Sequence, residues 1–335
     1  MANYESIVLE KGMYGVPGKS FTEVLESLDS SEHYKGTPLE GLDAYQRQLK
    51  RYGIKVSGPG CDTVEKFFST TGSAALFPEY VSRAVASGME QRDQLTDLVA
   101  TVTKIDAMDY RTITADEDSD YKELKPVAEG AALPTTTIKA GSGLVKLHKR
   151  GRVLVSSYEA LRFQKLDLFT VALRQIGAYI AAAQMKDAVD TLINGDGSKP
   201  GVSFVSGALS YSDLVTLWGT LAPYRLNTVI AGTDAMKKIL QIPEFKDAQA
   251  GMNFQGTGQL VTPLGAKLIH IPGMEDNKII AMDKDYALEM IQAGDVLTEY
   301  DKLIDRQLER AAISTISGFA RIYEKAAAGL NTMVV

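Results

Sequence analysis

The sequence predicts an α+β fold, in which strand-rich and helical segments occupy separate blocks of the chain. Three observations predict it. One strong helical pattern runs through residues 165–194, two stretches rich in β-branched residues precede it, and helix and strand patterns alternate after Pro200. The chain has 335 residues, 45% of them apolar and 23% charged, as in ordinary folded proteins. We expect a sizeable core, divided by length into about two domains.

Composition and charge exclude several classes of protein. A single cysteine, Cys61, cannot form an internal disulfide, and the longest apolar runs are far shorter than the ~20 residues that span a bilayer. The N-terminus has no basic region followed by an apolar run, so no secretory signal is expected and the cytoplasm is the default compartment. The net charge of −6 argues against a protein that grips nucleic acid electrostatically.

Residues 1–95 are expected to form an extended N-terminal arm. Glycines and prolines interrupt this stretch repeatedly, leaving only short helical patterns. One begins at Ser20 and a second covers residues 43–52. Each short apolar stripe needs a partner surface elsewhere in the chain.

Residues 94–113 and 130–157 are predicted to form the two strands of a long hairpin, because both are rich in β-branched residues. The tip between them is acidic and the returning strand is basic. A two-stranded ribbon is barely stable alone, so we expect this one to lie on another surface. The acidic residues are Asp116, Glu117, Asp118 and Asp120, and the basic residues are Lys146, Lys149, Arg150 and Arg152.

The helix over residues 165–194 is predicted to end at Asn194-Gly-Asp-Gly197, a strong termination signal. Its small residues 181–183 would permit the close approach of a neighbour. The remaining chain predicts a compact α/β unit and a closing strand with both faces covered. The expected helices are 212–221 and 233–241, and the expected strands are 228–231, 267–271, 278–282 and 313–323.

The stretch Met13-Tyr-Gly-Val-Pro-Gly-Lys-Ser20 resembles a phosphate-binding loop that precedes a helix, and Asp283 could then hold magnesium. The motif requires glycine where Met13 stands, because the backbone must turn tightly around the phosphate. A glycine-rich arm is therefore the favoured interpretation.

The other candidate motifs also fail. The acidic tip begins like a calcium loop but has Tyr121 and Val127 where glycine and glutamate are required. The three histidines do not have metal-ligand spacing, and Cys61 has no predictable histidine partner. We expect no enzymatic activity, no metal and no cofactor.

The order of these parts resembles the tailed-bacteriophage major capsid protein family, which has the Hong Kong 97-like capsid fold. The resemblance spans about residues 70–330. The motifs that carry it are Ala74-Ala-Leu-Phe-Pro-Glu-Tyr-Val81, Glu129-Gly-Ala-Ala-Leu-Pro134, the basic stretch 146–152, Ser156-Ser-Tyr-Glu-Ala160, Ile193-Asn-Gly-Asp-Gly197, Ser317-Gly-Phe-Ala-Arg-Ile-Tyr323 and residues 326–330.

The resemblance implies a division of the chain into the parts of a capsid subunit. These are an N-terminal arm (1–95), an extended hairpin loop with flanking strands (96–157), the spine helix of a peripheral domain (158–200), an axial domain (201–294) and the closing strands of the peripheral domain (295–335).

The resemblance also implies a structural function. Copies of the chain would form pentamers and hexamers of an icosahedral shell around phage double-stranded DNA, with weak non-specific DNA contact and none with a membrane. The implied partners are a scaffolding protein, a portal and possibly a decoration protein, and the implied location is the virion capsid, assembled in the host bacterial cytoplasm. The eight charged residues of the hairpin are the candidate inter-subunit contacts. Two alternatives stay open: an encapsulin-like nanocompartment shell, and a P-loop-type nucleotide-binding enzyme.

Overall fold

The structure is a computed structural model that describes residues 4–16, 19–91, 94–107, 109–115, 126–130, 138–141, 143–157, 163–246, 262, 264–294, 296–306 and 308–332. The chain divides into two compact units, each assembled from three separate stretches. The first unit comprises Met1–Asp93, Lys149–Ala183 and Ala293–Ile316. The second comprises Gln94–His148, Gln184–Gln292 and Ser317–Val335.

Within the described ranges the helices are α1 (Phe21–Leu28), α2 (Ala44–Arg51), α3 (Thr71–Ala74), α4 (Phe77–Glu90), α5 (Leu166–Asn194), α6 (Tyr211–Thr220), α7 (Thr233–Gln241), α8 (Pro243–Lys246) and α9 (Lys284–Ala287). The strands are β1 (Thr101–Ile105), β2 (Ile113–Ala115), β3 (Ile138–Ala140), β4 (His148–Ser157), β5 (Phe204–Gly207), β6 (Thr228–Ala231), β7 (Lys267–His270), β8 (Lys278–Met282), β9 (Leu288–Ala293), β10 (Leu297–Leu303), β11 (Leu308–Arg321) and β12 (Ala327–Thr332). The predicted α+β class is confirmed.

The N-terminal segment is packed and helical where an extended arm was expected. Both α1 and α2 begin with a capping box, formed by Ser20 with Glu23 and by Asp43 with Gln46. Their apolar faces enter a core shared with α4 and with the first part of α5. The arm prediction missed this because the surfaces that cover α1 and α2 lie at distant positions in the sequence.

A buried ion pair holds the N-terminal helices together. Arg47 is completely buried, and its Nε donates to Oδ2 of Asp29 over 2.9 Å. The hydroxyl of Tyr34 donates to the other oxygen of Asp29 over 2.7 Å, and the Tyr34 ring lies 4.3 Å from the Arg47 guanidinium. The Glu26 carboxylate is 3.6 Å from Arg47. Burial acts to raise the pKa of Glu26, but hydrogen bonds from Ser31 and Ala44 and the charge of Arg47 outweigh it and lower the pKa.

Helices α4 and α5 cross closely at two glycines. A Cβ added to Gly88 would lie 2.1 Å from the carbonyl oxygen of Arg174, and one added to Gly177 would lie 2.1 Å from that of Val85. These distances are shorter than any non-bonded contact, so only glycine fits at either position. The close approach predicted at residues 181–183 therefore occurs at Gly177, and Ala182 is exposed.

The second unit contains the predicted α/β arrangement. Its five-stranded sheet has the order β5-β12-β8-β6-β7, in which β6 is parallel to β7 and antiparallel to β8. Strands β6 and β8 and helix α7 have the predicted bounds, while β7 ends and α6 begins one residue earlier than expected. Strand β6 is buried along its whole length because the sheet is covered on both faces.

A second sheet has the order β1-β9-β11-β10, with β4 also paired to β11. Strand β11 starts in the first unit, where Leu308–Ser314 pairs with β10, and continues into the second, where Ser317–Arg321 pairs with β9. Residues 317–321 are buried on both faces, which confirms the prediction for that half of the closing strand.

The predicted long hairpin is shorter in the described residues. Strands β2 and β3 pair over only three residues, while β1 and β4 pair with strands of the second sheet. The alternating pattern identified the strands correctly. It could not identify their partners, because any strand with an apolar face satisfies the same pattern.

The glycine turn after α5 is confirmed. Gly195 and Gly197 have φ angles of +88° and +90°, in the left-handed region that side chains disfavour. Between them, Asp196 accepts hydrogen bonds from the amides of Ser198 and Lys199, and its other oxygen accepts one from the amide of Arg321 over 2.8 Å. The turn thus connects α5 to the end of β11.

Helix α5 is long and apolar enough, by length and composition alone, to cross a membrane. Leu173 and Ile180 lie in the core of the first unit, and Val189 and Leu192 lie in a core of the second. One side of the helix is therefore buried in these cores, and 39% of its most apolar window is buried.

Candidate assembly surfaces

The basic residues of the predicted contact lie on the chain that leads into and along β4. Lys146, Lys149 and Arg152 are exposed, and Arg150 is half-buried. The acidic residues Asp116, Glu117, Asp118 and Asp120 lie outside the described residues. The pairing of the acidic tip with the basic strand therefore stays a prediction.

Contacts with α5 position two side chains of the basic strand. In the first unit, the Arg152 guanidinium lies 5.5 Å from the centre of the Tyr179 ring. In the second unit, Nδ1 of His148 lies 3.7 Å from Oδ2 of Asp187. A cation over an aromatic face is attracted by the negative potential of the ring, so Arg152 is directed toward the helix while remaining exposed.

The outward face of the first unit's sheet is apolar and exposed. On β4, Val153 and Val155 are 56% and 54% exposed, while Leu154 between them packs on the core. On β10, Leu297 is 52% exposed. Arg310 and Asp301 form an ion pair across the β10–β11 ladder, with 2.5 Å between Nη2 and Oδ2. The exposed valine and leucine side chains give this sheet face an apolar surface.

Gly151 allows β4 to lie close to β11. A Cβ on Gly151 would come within 2.3 Å of the carbonyl oxygen of Ile313 and 2.8 Å of the Cβ of Ser314. Glycine within a strand often marks such a close backbone approach. The exposed valines are therefore carried on a strand that is held firmly in the sheet.

The short β2–β3 ladder is also apolar and exposed. Its register pairs Ile113 with Ala140 and Ala115 with Ile138. Ile113 is 57% exposed and Ile138 is 67% exposed. A two-stranded ribbon with uncovered isoleucines is marginally stable in water, so it requires a covering surface.

The outer side of α5 is a third apolar surface. Leu168, Val171 and Tyr179 are each more than half exposed, although the opposite side of the helix is core. A helix of a lone soluble protein is normally polar on its outer face.

The nucleotide-binding hypothesis is contradicted by the start of α1. The Ser20 hydroxyl and amide both donate to the carboxylate of Glu23, over 2.9 and 2.6 Å, and the Glu23 amide donates back to Ser20. An anionic carboxylate occupies the helix terminus where a phosphate would bind. Asp283 is likewise engaged, accepting from the Arg225 amide over 2.9 Å and from Asn227 over 2.8 Å.

Among the residues that the structure describes, no three histidine, cysteine or acidic side chains are grouped as metal ligands. The residues that sequence reasoning missed are Arg47, Gly88, Gly177 and Glu289. A glycine within a helical pattern is a weak signal of close packing, whereas nothing in the local sequence marks Arg47 or Glu289 as buried.

A family model described as phage capsid protein matches residues 141–320, more than half of the chain. No curated protein sequence matches the chain. The matched segment contains β4, helix α5, strands β5, β6, β7 and β8 of the α/β sheet, and β11 up to residue 320.

Solved structures share the fold at low sequence identity. A virus-like particle from Pyrococcus furiosus is 13% identical with a TM-score of 0.50, over 76% of this chain and 98% of its own. The capsid of a native GTA particle, computed with C5 symmetry, is 16% identical with a TM-score of 0.52, over 74% of this chain and 91% of its own. These likenesses establish the fold.

Proposed function

This chain belongs to the phage capsid protein family, and we propose that its copies assemble as pentamers and hexamers into an icosahedral shell around phage double-stranded DNA. It is a major capsid protein, a structural protein of the virion and not an enzyme. Membership of the family supports a shell-forming role. The rings of five and six copies and the DNA cargo are what we propose.

One observation carries the proposal: the apolar surfaces that the lone subunit leaves uncovered occur on both units. Two of them are the outward sheet face with Val153, Val155 and Leu297, and the β2–β3 ladder with Ile113 and Ile138. A closed ring buries a surface of each copy against a different surface of the next, so two complementary patches suffice for every subunit. We propose that the ladder of one copy lies over the sheet face of its neighbour.

Charge would orient this contact. In the proposed arrangement, the acidic tip residues Asp116, Glu117, Asp118 and Asp120 of one copy face Lys146, Lys149, Arg150 and Arg152 of the next. An exposed pair contributes only ~0.2 to 1 kcal/mol, but repetition at every subunit multiplies the effect on closure of the shell.

The test is a charge swap followed by light scattering and electron microscopy at several salt concentrations. Changing the four acidic tip residues to lysine should block or slow assembly at low salt and leave the subunit folded. Changing the four basic residues to glutamate in the same chain should partly restore assembly, because opposite charges again face each other. The control variant changes Glu10, Glu32, Glu90 and Glu244, which are exposed and lie outside residues 96–157 in the sequence, to lysine. Its net charge change is identical, so it should assemble like the parent.

Normal assembly of the tip variant at all salt concentrations would contradict the charge contact alone. A parent chain that stays monomeric, with and without co-expressed scaffold, would contradict the assembly proposal itself. These outcomes therefore distinguish failure of the charge contact from failure of the assembly proposal.

Further partners follow from the same proposal. A scaffolding protein, a portal and possibly a decoration protein would join the shell, which would assemble in the host cytoplasm. The net charge of −6 suits a DNA container, because a strongly basic lining would hinder DNA release. Contact with packaged DNA should therefore be weak and non-specific.

The likeness to a virus-like particle favours a second candidate, an encapsulin-like shell around a protein cargo. Particles purified from cells that carry the complete gene neighbourhood should contain double-stranded DNA under the first proposal. Nuclease-protected DNA decides for the virion, and a co-purified enzyme in DNA-free particles decides for the nanocompartment.

A further inference from the structure

A buried carboxylate gathers three hydroxyl groups at the root of the β2–β3 hairpin. Glu289, on β9, is only 5% exposed. Its Oε1 accepts hydrogen bonds from Thr103 over 2.5 Å and from Tyr110 over 2.7 Å, and its Oε2 accepts one from Thr112 over 2.8 Å. Burial, followed by the hydrogen bond to Glu289, raises the pKa of Tyr110, which favours the neutral phenol that donates this bond.

These donors lie on both sides of the bend between β1 and β2, and the returning limb is bonded to the same segment. The amide of Gly141 donates to the carbonyl of Thr112 over 2.7 Å, and the amide of Val145 donates to that of Tyr110 over 2.9 Å. The side chain of Glu289 therefore connects the outgoing limb of the hairpin to β9, and these backbone bonds hold the returning limb to the outgoing one.

Such an arrangement is a costly way to stabilise a fold. Among the described residues Glu289 forms no ion pair, so hydrogen bonds from the three hydroxyl groups offset the cost of its burial. An apolar cluster of Val145, Ile291 and Ala320 already packs nearby and could hold the root without specifying a direction. Hydrogen bonds to a charged group are strong and directional, whereas apolar packing is non-directional.

We propose that Glu289 is a positioning residue for assembly, which fixes the direction of the hairpin relative to β9 so that the hairpin can reach the neighbouring copy. The inference rests on the proposed function, because direction matters only if the hairpin contacts another subunit. Removing the carboxylate should loosen the root and impair assembly while the α/β sheet stays intact.

The experiment measures amide hydrogen exchange on the soluble assembly units and shell formation by light scattering. The variants are Glu289→Gln, which removes the charge at nearly constant shape, and Thr112→Val, which removes one donor. Thr112→Ser is the matched control, since it retains the hydroxyl. We expect Glu289→Gln and Thr112→Val to speed exchange at Gly141 and Val145 by roughly tenfold or more, as for loss of a hydrogen bond to a charged group.

We also expect exchange at Val229 in β6 to be unchanged and both variants to assemble more slowly than the parent. Thr112→Ser should behave like the parent. Parent-like exchange at Gly141 and Val145 in both variants would overturn the proposal, as would equal acceleration at Val229, which indicates general destabilisation. Assembly at the parent's rate despite a loosened root would also overturn it. If Glu289→Gln does not fold, the two Thr112 variants decide. Failure of the parent to assemble is separate, since it would overturn the proposed function.

Discussion

The crossing of α4 and α5 yields a sharp prediction, because Gly177→Ala adds only one methyl group. That methyl would lie 2.1 Å from the carbonyl oxygen of Val85 and 2.8 Å from the amide nitrogen of Met89. Both obstructing atoms are backbone atoms, which cannot rotate aside as a flexible side chain can. The two helices must therefore separate, and their separation disturbs the core around them.

The size of the effect follows from two opposing terms. Alanine stabilises a helix interior by about 1 kcal/mol relative to glycine. Overpacking a tight contact costs about 1 to 3 kcal/mol, and occasionally more. Since the obstructing atoms belong to the backbone, we expect the overpacking cost to reach or exceed the upper end of that range. The net loss of unfolding free energy is then about 2 kcal/mol. In a unit of about 150 residues this lowers the unfolding midpoint by roughly 4–8 °C.

Thermal and urea unfolding followed by circular dichroism measure this loss. Gly219→Ala in α6 is the matched control, because nothing lies within 4 Å of the added Cβ. It should be neutral or stabilising. Gly88→Ala should destabilise like Gly177→Ala, and the double variant should cost less than the sum, because one separation relieves both clashes. A midpoint for Gly177→Ala equal to or above that of the parent would refute the close crossing.

Two further predictions concern buried polar groups of the first unit. Arg47→Met leaves Asp29 buried without its cation and should lower the free energy of unfolding, measured in urea, by about 3–5 kcal/mol. The control Arg306→Met removes an exposed ion pair and should lower it by less than about 1 kcal/mol. Equal losses in the two variants would contradict the burial of the Arg47–Asp29 pair. Burial raises the pKa of Tyr80 to about 12, and its hydroxyl donates to the carbonyl of Leu166 over 2.9 Å. A raised pKa favours the neutral phenol, so the stability that Tyr80 contributes is complete below pH 10 and is lost as the pH rises toward 12. Tyr80→Phe should therefore flatten the dependence of unfolding free energy on pH in that range. An unchanged pH dependence would refute the assignment of this titration to Tyr80.

The elements that sequence analysis located well are those whose pattern is local. Strands β6 and β8 and helix α7 were predicted to the residue, and α5 within one residue. Each of these elements is buried on one face or, in a short strand, along its whole length. Its apolar residues therefore recur with the period of its own backbone. The turn at Gly195 was equally visible, because a left-handed conformation strongly favours glycine.

The expected arm shows where this reasoning fails. The periodicity of α1 and α2 indicated that each had an apolar face, but the covering residues come from α4 and α5. Likewise, β1 and β4 were recognised as strands and assigned to one another, although each pairs elsewhere in the second sheet. The periodicity of apolar residues indicates that one face of an element is buried, but it does not identify the residues that cover that face.

The sequence by itself determined the class of fold, the long helix, the α/β arrangement and, through the order of these parts, the resemblance to capsid proteins. Only the tertiary structure decided that Gly88 and Gly177 lie at the crossing of α4 and α5 and that Glu289 joins the outgoing limb of the hairpin to β9. Residues as far apart in the chain as Tyr110 and Glu289 leave no mutual signal in a single sequence. Their roles depend on distances and burial, which exist only after the chain has folded.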